Sequence, residues 1–335
     1  MATNGELLTC DASGQQGYPW ISIVAVLVTV FFVRTGVAET AYWRVATDRL
    51  TVVANSSGER CSRLATQFII FERALRELAN LDADYQLPAI TVYSLSQKDA
   101  DRVLLSDADR KREATTRWRT YSKFLPGPDF NIAAIVDLAS GSDDPLQSVL
   151  LLYAEDILVR GPTRNDSPWY QLGVANLMNG VIIRTDGSVL LNRNLPFEPV
   201  GNDKGGAHEQ YDLPRLLGTR GSDLNAATDY RAFIRAASEW AQFGLLTTEQ
   251  RRAQYRELAT SMRQGTPAAE ALKDAFGLSL EQIADQLKGG RWRQDARYRL
   301  TVPGVPVSVP VPARLESEDA DVLLQAVAKR VRAQA

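Results

Sequence analysis

Histidine is almost missing from this chain of 335 residues, which has a single one, His208, in the stretch GGAHEQYDLP. A zinc site draws on several histidine, cysteine or carboxylate ligands at helical or hairpin spacing, and one histidine among glycines and polar residues does not supply that geometry. Cysteine–histidine and serine–histidine catalytic pairs would both need this same residue. We therefore interpret His208 as a loop residue that faces water, and we predict no metal and no cofactor.

Cysteine and an excess of charge of either sign are lacking as well. The two cysteines, Cys10 and Cys61, cannot build a disulfide framework, and neither lies in a Cys-x-x-Cys pattern. Lysine and arginine (38) nearly balance aspartate and glutamate (40), so no global field attracts nucleic acid, and we predict no nucleic-acid partner. A content of 45% apolar and 23% charged residues is typical of a globular protein with one large or two ordinary domains.

Long apolar runs are scarce too, and the one at residues 20–33, WISIVAVLVTVFFV, lies near the start of the chain. Because a transmembrane helix needs about 20 residues, this run fits a signal-peptide core or a short anchor better than a full span. Small residues around Gly36 and Ala38 offer a cleavage site, whereas Arg34 and the acidic leader are atypical of a signal. A buried core helix is the weaker alternative, because the run has no polar face. We expect residues 1–40 to be a signal or membrane-anchor segment, with cleavage and anchoring both open.

The pattern of residues 41–198 predicts an α+β domain. YWRVATDRLTVVAN alternates and is β-branched, which predicts a hairpin that turns at Asp48 and Arg49. The next segment predicts a helix that begins near Ser57, because its apolar residues recur at helical spacing. LPAITVYSLS and FNIAAIVDL are expected as strands, with QKDADRVLL as a short helix after the first. The charged residues 106–123 indicate a surface helix or a lid.

Two apolar helices follow in the same domain. Asp144 and Pro145 begin the first, which we expect to run to about Val159, and WYQLGVANLMNGVII is expected as the second, with RTDGSVLLN as a small hairpin after it. Residues 199–290 are predicted as a helical subdomain that opens with a long loop at 199–227. Amphipathic periodicity then predicts helices at 228–244, 248–264, 266–276 and 279–288. The segment 291–335 is expected to hold a proline-rich spacer, VPGVPVSVPVP, and a charged terminal helix at 315–333.

The stretches LLLYAEDILV at 150–159 and SPWYQLGVANL at 167–177 carry a resemblance to a known family. With the order of elements around them, they are similar to the bacterial peptidase-MA-like, gluzincin-type envelope proteins. Those proteins carry a phrase like LYHEYTH on a first active-site helix and PxWxxEGxAEY on a second. The later GTPAAEALKDAFGLSLEQI resembles their tail, so the resemblance covers about residues 42 to 288. It implies a gluzincin-like domain, with a small N-terminal mixed sheet and helices before a mainly helical C-terminal part.

The resemblance also implies a zinc site whose ligands are lost. In the family, two histidines at i and i+4 bind zinc, a glutamate beside the first is the general base, and a glutamate of the next helix completes the site. Here the histidine positions hold Ala154 and Leu158, and the third ligand position holds Leu172. The general-base position is kept as Glu155, and the family's later second-helix acid appears as Asn176. A ligand without its metal is a buried unpaired group that costs about 1–3 kcal/mol, so apolar replacements remove that cost.

Five residues near these positions are candidates for binding: Tyr153, Asp156, Trp169, Tyr170 and Asn176. We interpret the three aromatic residues as core or as walls of a cleft rather than as a sugar-binding platform. Glu155 is interpreted as a partner for an arginine or for water rather than as a catalyst. If the resemblance holds, Leu158 and Leu172 should both be largely buried and in contact, with Ala154 beside them and Glu155 at the rim.

The sequence therefore favours a non-catalytic, metallopeptidase-like protein of the cell envelope, periplasmic or membrane-anchored, that acts as a scaffold or binds a peptide or an envelope protein. The alternative is a metal-independent hydrolase that uses Glu155 with Asp156 or Tyr153 as acid and base. Neighbouring residues on a helix point about 100° apart, so Glu155 and Asp156 are not expected to act on one substrate.

Overall fold

A β-hairpin opens the part of the chain that the computed structural model describes. The described residues are 41–105, 122–127, 129–136, 144–161, 166–184, 186–191, 211–224, 227–289, 299–300 and 307–333. Strands β1 (Tyr42–Ala46) and β2 (Leu50–Ala54) pair antiparallel across the predicted turn. The Thr47 side chain and backbone both bond to Leu50 there, which closes the turn. His208, Cys10 and the apolar run at 20–33 lie outside the described residues.

A long helix follows the hairpin and covers one side of the sheet. Helix α1 (Gly58–Ala79) begins after Ser57, whose side chain accepts a hydrogen bond from the Arg60 backbone, as its N-cap position predicted. Asn80 ends the helix in the left-handed conformation. Strand β3 (Ala89–Leu95) and the short helix α2 (Gln97–Val103) come next, and both were predicted.

The main sheet also contains β4 (Ser122–Leu125), β5 (Phe130–Val136) and β9 (Ala313–Leu315), and it is mixed, with the strand order β4-β5-β3-β2-β1-β9. Its centre is parallel, because β2 pairs with β3 and β3 pairs with β5 in the same direction. The outer strands β1, β4 and β9 each pair antiparallel with their neighbours. This α+β architecture with a mixed sheet confirms the predicted fold class at that level.

Both faces of this sheet are apolar and covered, because alternate residues of each strand point to opposite sides. One face packs against α1 and the helices that follow, and it presents Val52, Ala54, Ile90, Val92, Ala133 and Ile135. The other face packs against α2 and the terminal helix α10 (Ser317–Ala333), and it presents Val53, Tyr93, Leu95, Ile132, Ala134 and Val136. The sheet is therefore the middle layer of three.

Two helices and a small second sheet lie next along the chain. Helix α3 (Asp144–Arg160) has the predicted bounds to within a residue, and α4 (Pro168–Met178) follows. The prediction that the second helix runs on through VII was wrong, since α4 ends before Asn179 and Gly180. Val181–Ile183 is instead β6, which pairs with β7 (Val189–Leu191), and β7 also pairs with β8 (Arg299–Leu300). Three β-branched residues favour a strand once the turn has broken the helix.

The C-terminal half of the described chain is mainly helical, as predicted. Helices α6 (Ala227–Leu245), α7 (Glu249–Arg263), α8 (Ala268–Phe276) and α9 (Leu280–Gly289) agree with the predicted ranges to within two residues. The predicted loop at 199–227 contains a helix that the sequence analysis missed, α5 (Leu213–Gly218), capped by Asp212. Of the predicted lid at 106–123, Ser122 and Lys123 belong to β4, and the rest lies outside the described residues.

Candidate functional site

Helix α3 carries most of the candidate residues, and it lies between the main sheet and α4. Pro145 stands in its first turn, where a proline costs no hydrogen bond. Gly161 follows its last residue, and a Cβ there would lie 2.2 Å from the Ile157 carbonyl oxygen and 2.6 Å from the Tyr85 hydroxyl. Only glycine fits this exit, so the chain leaves the helix against Tyr85.

The two positions at which the resemblance expects zinc-binding histidines are packed inside the protein. Ala154 and Leu158 lie one turn apart on the buried side of α3, and both side chains are completely buried. Helix α4 packs against α3, as the resemblance requires. Leu172 of α4 is half-buried, which is less than predicted, and it packs against the same core. Direct contact between Leu158 and Leu172 stays a prediction.

Helix α4 is held tightly from its other side. Gly173, the residue after Leu172, lies against α6, where an added Cβ would be 2.6 Å from the Ala237 carbonyl oxygen. Asn176, one turn further along, is buried and donates a hydrogen bond of 2.5 Å to the Ser238 hydroxyl. Asn176 therefore fastens α4 to α6.

Glu155 occupies a different side of α3 from Ala154 and Leu158. It is half-buried, and burial raises the pKa of its carboxyl group above the ordinary value. Burial and, to a smaller extent, the charge of Glu155 raise the pKa of Tyr230, which stands in the first turn of α6. Within the described part of the chain, Glu155 forms no ion pair.

Asp156 faces the sheet and is engaged there. Its carboxylate accepts a hydrogen bond of 3.0 Å from Asn131 Nδ2 and pairs with Arg160 Nε at 2.9 Å. The Asn131 side chain in turn accepts from the Gly127 backbone at 3.1 Å. Asp156 thus ties α3 to the turn between β4 and β5, and it does not share a surface with Glu155.

Tyr153 belongs to a polar network inside the core. Its hydroxyl donates to Glu72 Oε1 at 2.7 Å, and Glu72 pairs with Arg49 Nη2 at 2.9 Å. Burial, together with the Glu72 carboxylate, holds the pKa of Tyr153 well above its ordinary value. The network joins the β1–β2 turn, α1 and α3, so its role in the fold is structural.

Trp169 and Tyr170 lie in an aromatic cluster at the start of α4. Trp169 is completely buried, and the Tyr170 hydroxyl donates to the Ala79 carbonyl oxygen at 3.0 Å. Their rings contact the buried Tyr255 of α7 at centroid distances of 5.3 and 5.6 Å. The cluster also includes Trp240, Phe243 and Phe276. These rings connect α4 to the C-terminal helices, and no face of Trp169 is open to a ligand.

Sequence reasoning missed Glu72, Arg49 and Tyr230. Glu72 carried a usable signal, because it stands four residues after Phe68 and three before Leu75 on the buried face of α1. An acid at such a position needs a partner. Tyr230 carried no comparable signal, since its approach to Glu155 depends on how α6 packs.

The described residues contain no group of three histidine, cysteine, aspartate or glutamate side chains placed to hold a metal ion. Their one free cysteine, Cys61, is buried, and burial raises the pKa of its thiol to about 11. None of the described helices is long and apolar enough to cross a membrane. Neither the models of known protein families nor the curated proteins include a match to this sequence.

Proposed function

We propose that this protein is a metallopeptidase-like domain whose former zinc site has become packed core, and that it acts by binding a peptide or protein segment. The observation that carries the proposal is the complete burial of Ala154 and Leu158 on one face of α3, against which α4 packs. A chain of this descent would keep the helix pair and lose the ligands.

The energetics of these positions support the same proposal. Two imidazoles and a carboxylate without a metal would be polar groups with no assured partner, each costing about 1–3 kcal/mol. Alanine and leucine remove that cost, and Leu158 adds a buried side chain worth about 1.5–3 kcal/mol relative to an exposed one. The substitution pattern is therefore stabilising as a set.

The edge of the main sheet supports a role in binding. Strand β4 ends the sheet order beside α3, and the ring of its Phe124 lies 6.3 Å from that of Tyr153. An edge strand can accept an extended peptide through its backbone groups, while neighbouring side chains select the sequence. In the resembled proteins a strand edge shares substrate binding with the metal, and here only the strand edge would remain.

Restoring the ligands tests the proposed descent. We expect the wild-type chain to hold no stoichiometric zinc after dialysis, and Ala154→His, Leu158→His and Leu172→Glu together to hold about one zinc per chain. The matched control carries Gln171→Glu instead of Leu172→Glu, which moves the carboxylate about 100° around the helix. Equal zinc content in the two triple variants, measured by elemental analysis, would show that α3 and α4 do not have the geometry of a zinc site.

One observation favours the second candidate, a metal-independent hydrolase. The pKa of Glu155 is raised, and its charge contributes to the raised pKa of the Tyr230 phenol, which is a property of some acid–base pairs. This enzyme would lose hydrolysis of peptide or ester substrates by about 100-fold in Glu155→Gln. A binding protein would show no turnover that depends on Glu155.

We also propose that residues after about 40 lie outside the cytoplasm. The apolar run at 20–33 and the extracytoplasmic location of the resembled proteins support this. A reporter enzyme that is active only outside the cytoplasm should then be active when it is fused after Ala335. Activity of a cytoplasm-specific reporter at that point would contradict this localisation.

A further inference from the structure

The outer face of α3 has an unusual composition for a surface. Leu152, Glu155 and Val159 follow one another at spacings of three and four residues, so they form one stripe along the helix. Leu152 is 40% exposed and Val159 47% exposed, which makes them two of the few large apolar side chains at the surface of the described chain. A single exposed leucine is ordinary, whereas an apolar stripe on one helix indicates a contact surface.

The stripe contains one ionisable side chain, that of Glu155. The next residue of α3, Asp156, is paired with Arg160, but Glu155 forms no ion pair within the described residues. A half-buried carboxylate is less hydrated than an exposed one and is therefore stabilised by a cation that binds next to it.

We propose that this stripe, formed by Leu152, Glu155 and Val159, binds a peptide segment in which an arginine is flanked by aliphatic residues. The inference rests on the proposed binding function and specifies its ligand class. The guanidinium group pairs with the Glu155 carboxylate, and the flanking side chains cover Leu152 and Val159.

Arginine suits the site better than lysine. Its guanidinium group is planar and offers two parallel donors to one carboxylate. It is also less strongly hydrated than an ammonium group, so it costs less to bring against Leu152 and Val159.

The test uses the purified full chain and three fluorescein-labelled short peptides that differ only at a central residue flanked by leucine and valine. That residue is arginine, lysine or citrulline, the last of which keeps the shape of arginine without its charge. We expect fluorescence anisotropy to show the arginine peptide binding about tenfold more tightly than the citrulline peptide. Glu155→Gln should abolish this difference, and Leu152→Ser should weaken binding of all three.

Two control variants separate the stripe from the rest of the surface. Glu257→Gln removes an exposed acid of α7, and Val322→Ser removes an exposed apolar residue of α10, and neither should change binding. Equal affinity for the arginine and citrulline peptides would overturn this inference and leave peptide binding in place. Failure of every peptide to bind would overturn this inference and would leave the β4 edge as the site of the proposed peptide binding. Self-association of the wild-type chain that Leu152→Ser removes would identify a second copy as the occupant and also overturn the inference.

Discussion

The two neighbouring acids of α3 have opposite surroundings because they point to different sides of one helix. Asp156 contacts Asn131 and Arg160 at the sheet, whereas Glu155 lies in the stripe between the exposed Leu152 and Val159. The sequence predicted this divergence from the 100° step of a helix. The pairing of Asp156 with Arg160 follows from their spacing of four residues on one helix, whereas Asn131 is brought to Asp156 by tertiary packing that the sequence does not show.

Removing the Tyr153 hydroxyl should destabilise the fold. In Tyr153→Phe the ring stays, but the buried Glu72 carboxylate loses a donor at 2.7 Å, so we expect the free energy of unfolding to fall by about 2 kcal/mol. Tyr93→Phe is the matched control, since Tyr93 is buried but its hydroxyl has no hydrogen-bond partner within the described residues; it should change stability by less than about 0.5 kcal/mol. Urea denaturation measures both, and equal effects would show that the Tyr153–Glu72 bond contributes nothing.

Glu155→Gln should stabilise the protein in a pH-dependent way. Burial raises the pKa of Glu155 in the folded state above the ordinary value of 4.5, so the folded chain binds this proton more tightly than the unfolded chain does. The wild type therefore loses stability as pH rises above 4.5, and glutamine removes that loss. At pH 7 we expect the free energy of unfolding of Glu155→Gln to exceed that of the wild type by about 0.5 kcal/mol, which thermal unfolding would show as a higher midpoint temperature. The difference should vanish near pH 4. A stability difference of the same size at pH 7 and at pH 4 would show that folding does not raise the pKa of Glu155.

At the scale of elements, prediction from the sequence succeeded where periodicity was long and failed where elements were short. Helix α1 was predicted because its apolar residues recur over many turns, and its cap at Ser57 is a local signal. Strands β4 and β9 and helix α5 were missed, since four, three and six residues carry too little pattern. The register between β1 and β9 joins residues far apart in sequence, which no local pattern encodes.

The close approach of α4 to α6 at Gly173 predicts that a larger residue there destabilises the protein. Gly173→Ala should destabilise the protein by about 1–3 kcal/mol, because the new methyl group would force the α6 backbone at Ala237 away. Gly218→Ala in α5 is the control, since nothing lies within 4 Å of its added Cβ, and it should leave stability unchanged or raise it by up to about 1 kcal/mol. Urea midpoints that fall equally in both variants would show that close packing of α4 on α6 is not the cause.

For the molecule as a whole, the two ends of the described chain meet in one sheet. Strand β9 pairs with β1, so residues near 42–44 and 313–315 lie side by side. Helix α10 then crosses the sheet, and its Arg330 donates to the Phe130 carbonyl oxygen at 3.1 Å beside the β4–β5 turn. The sequence predicted the terminal helix but gave no sign that it would form the third layer, because its periodicity shows an apolar face without showing what that face covers.

Deleting the C-terminal segment tests this closure. A chain that ends at residue 306 lacks β9 and α10, and it uncovers the sheet face that includes Tyr93, Leu95 and Val136. We expect this variant to aggregate or to bind the dye ANS without cooperative unfolding, since one layer of its core is missing. Added peptide 307–335 should restore a cooperative transition, and a chain that ends at Ala333 should behave as the wild type does. If the chain ending at residue 306 unfolded cooperatively at the wild-type urea midpoint, residues 307–335 would be an appended spacer and helix rather than part of the fold.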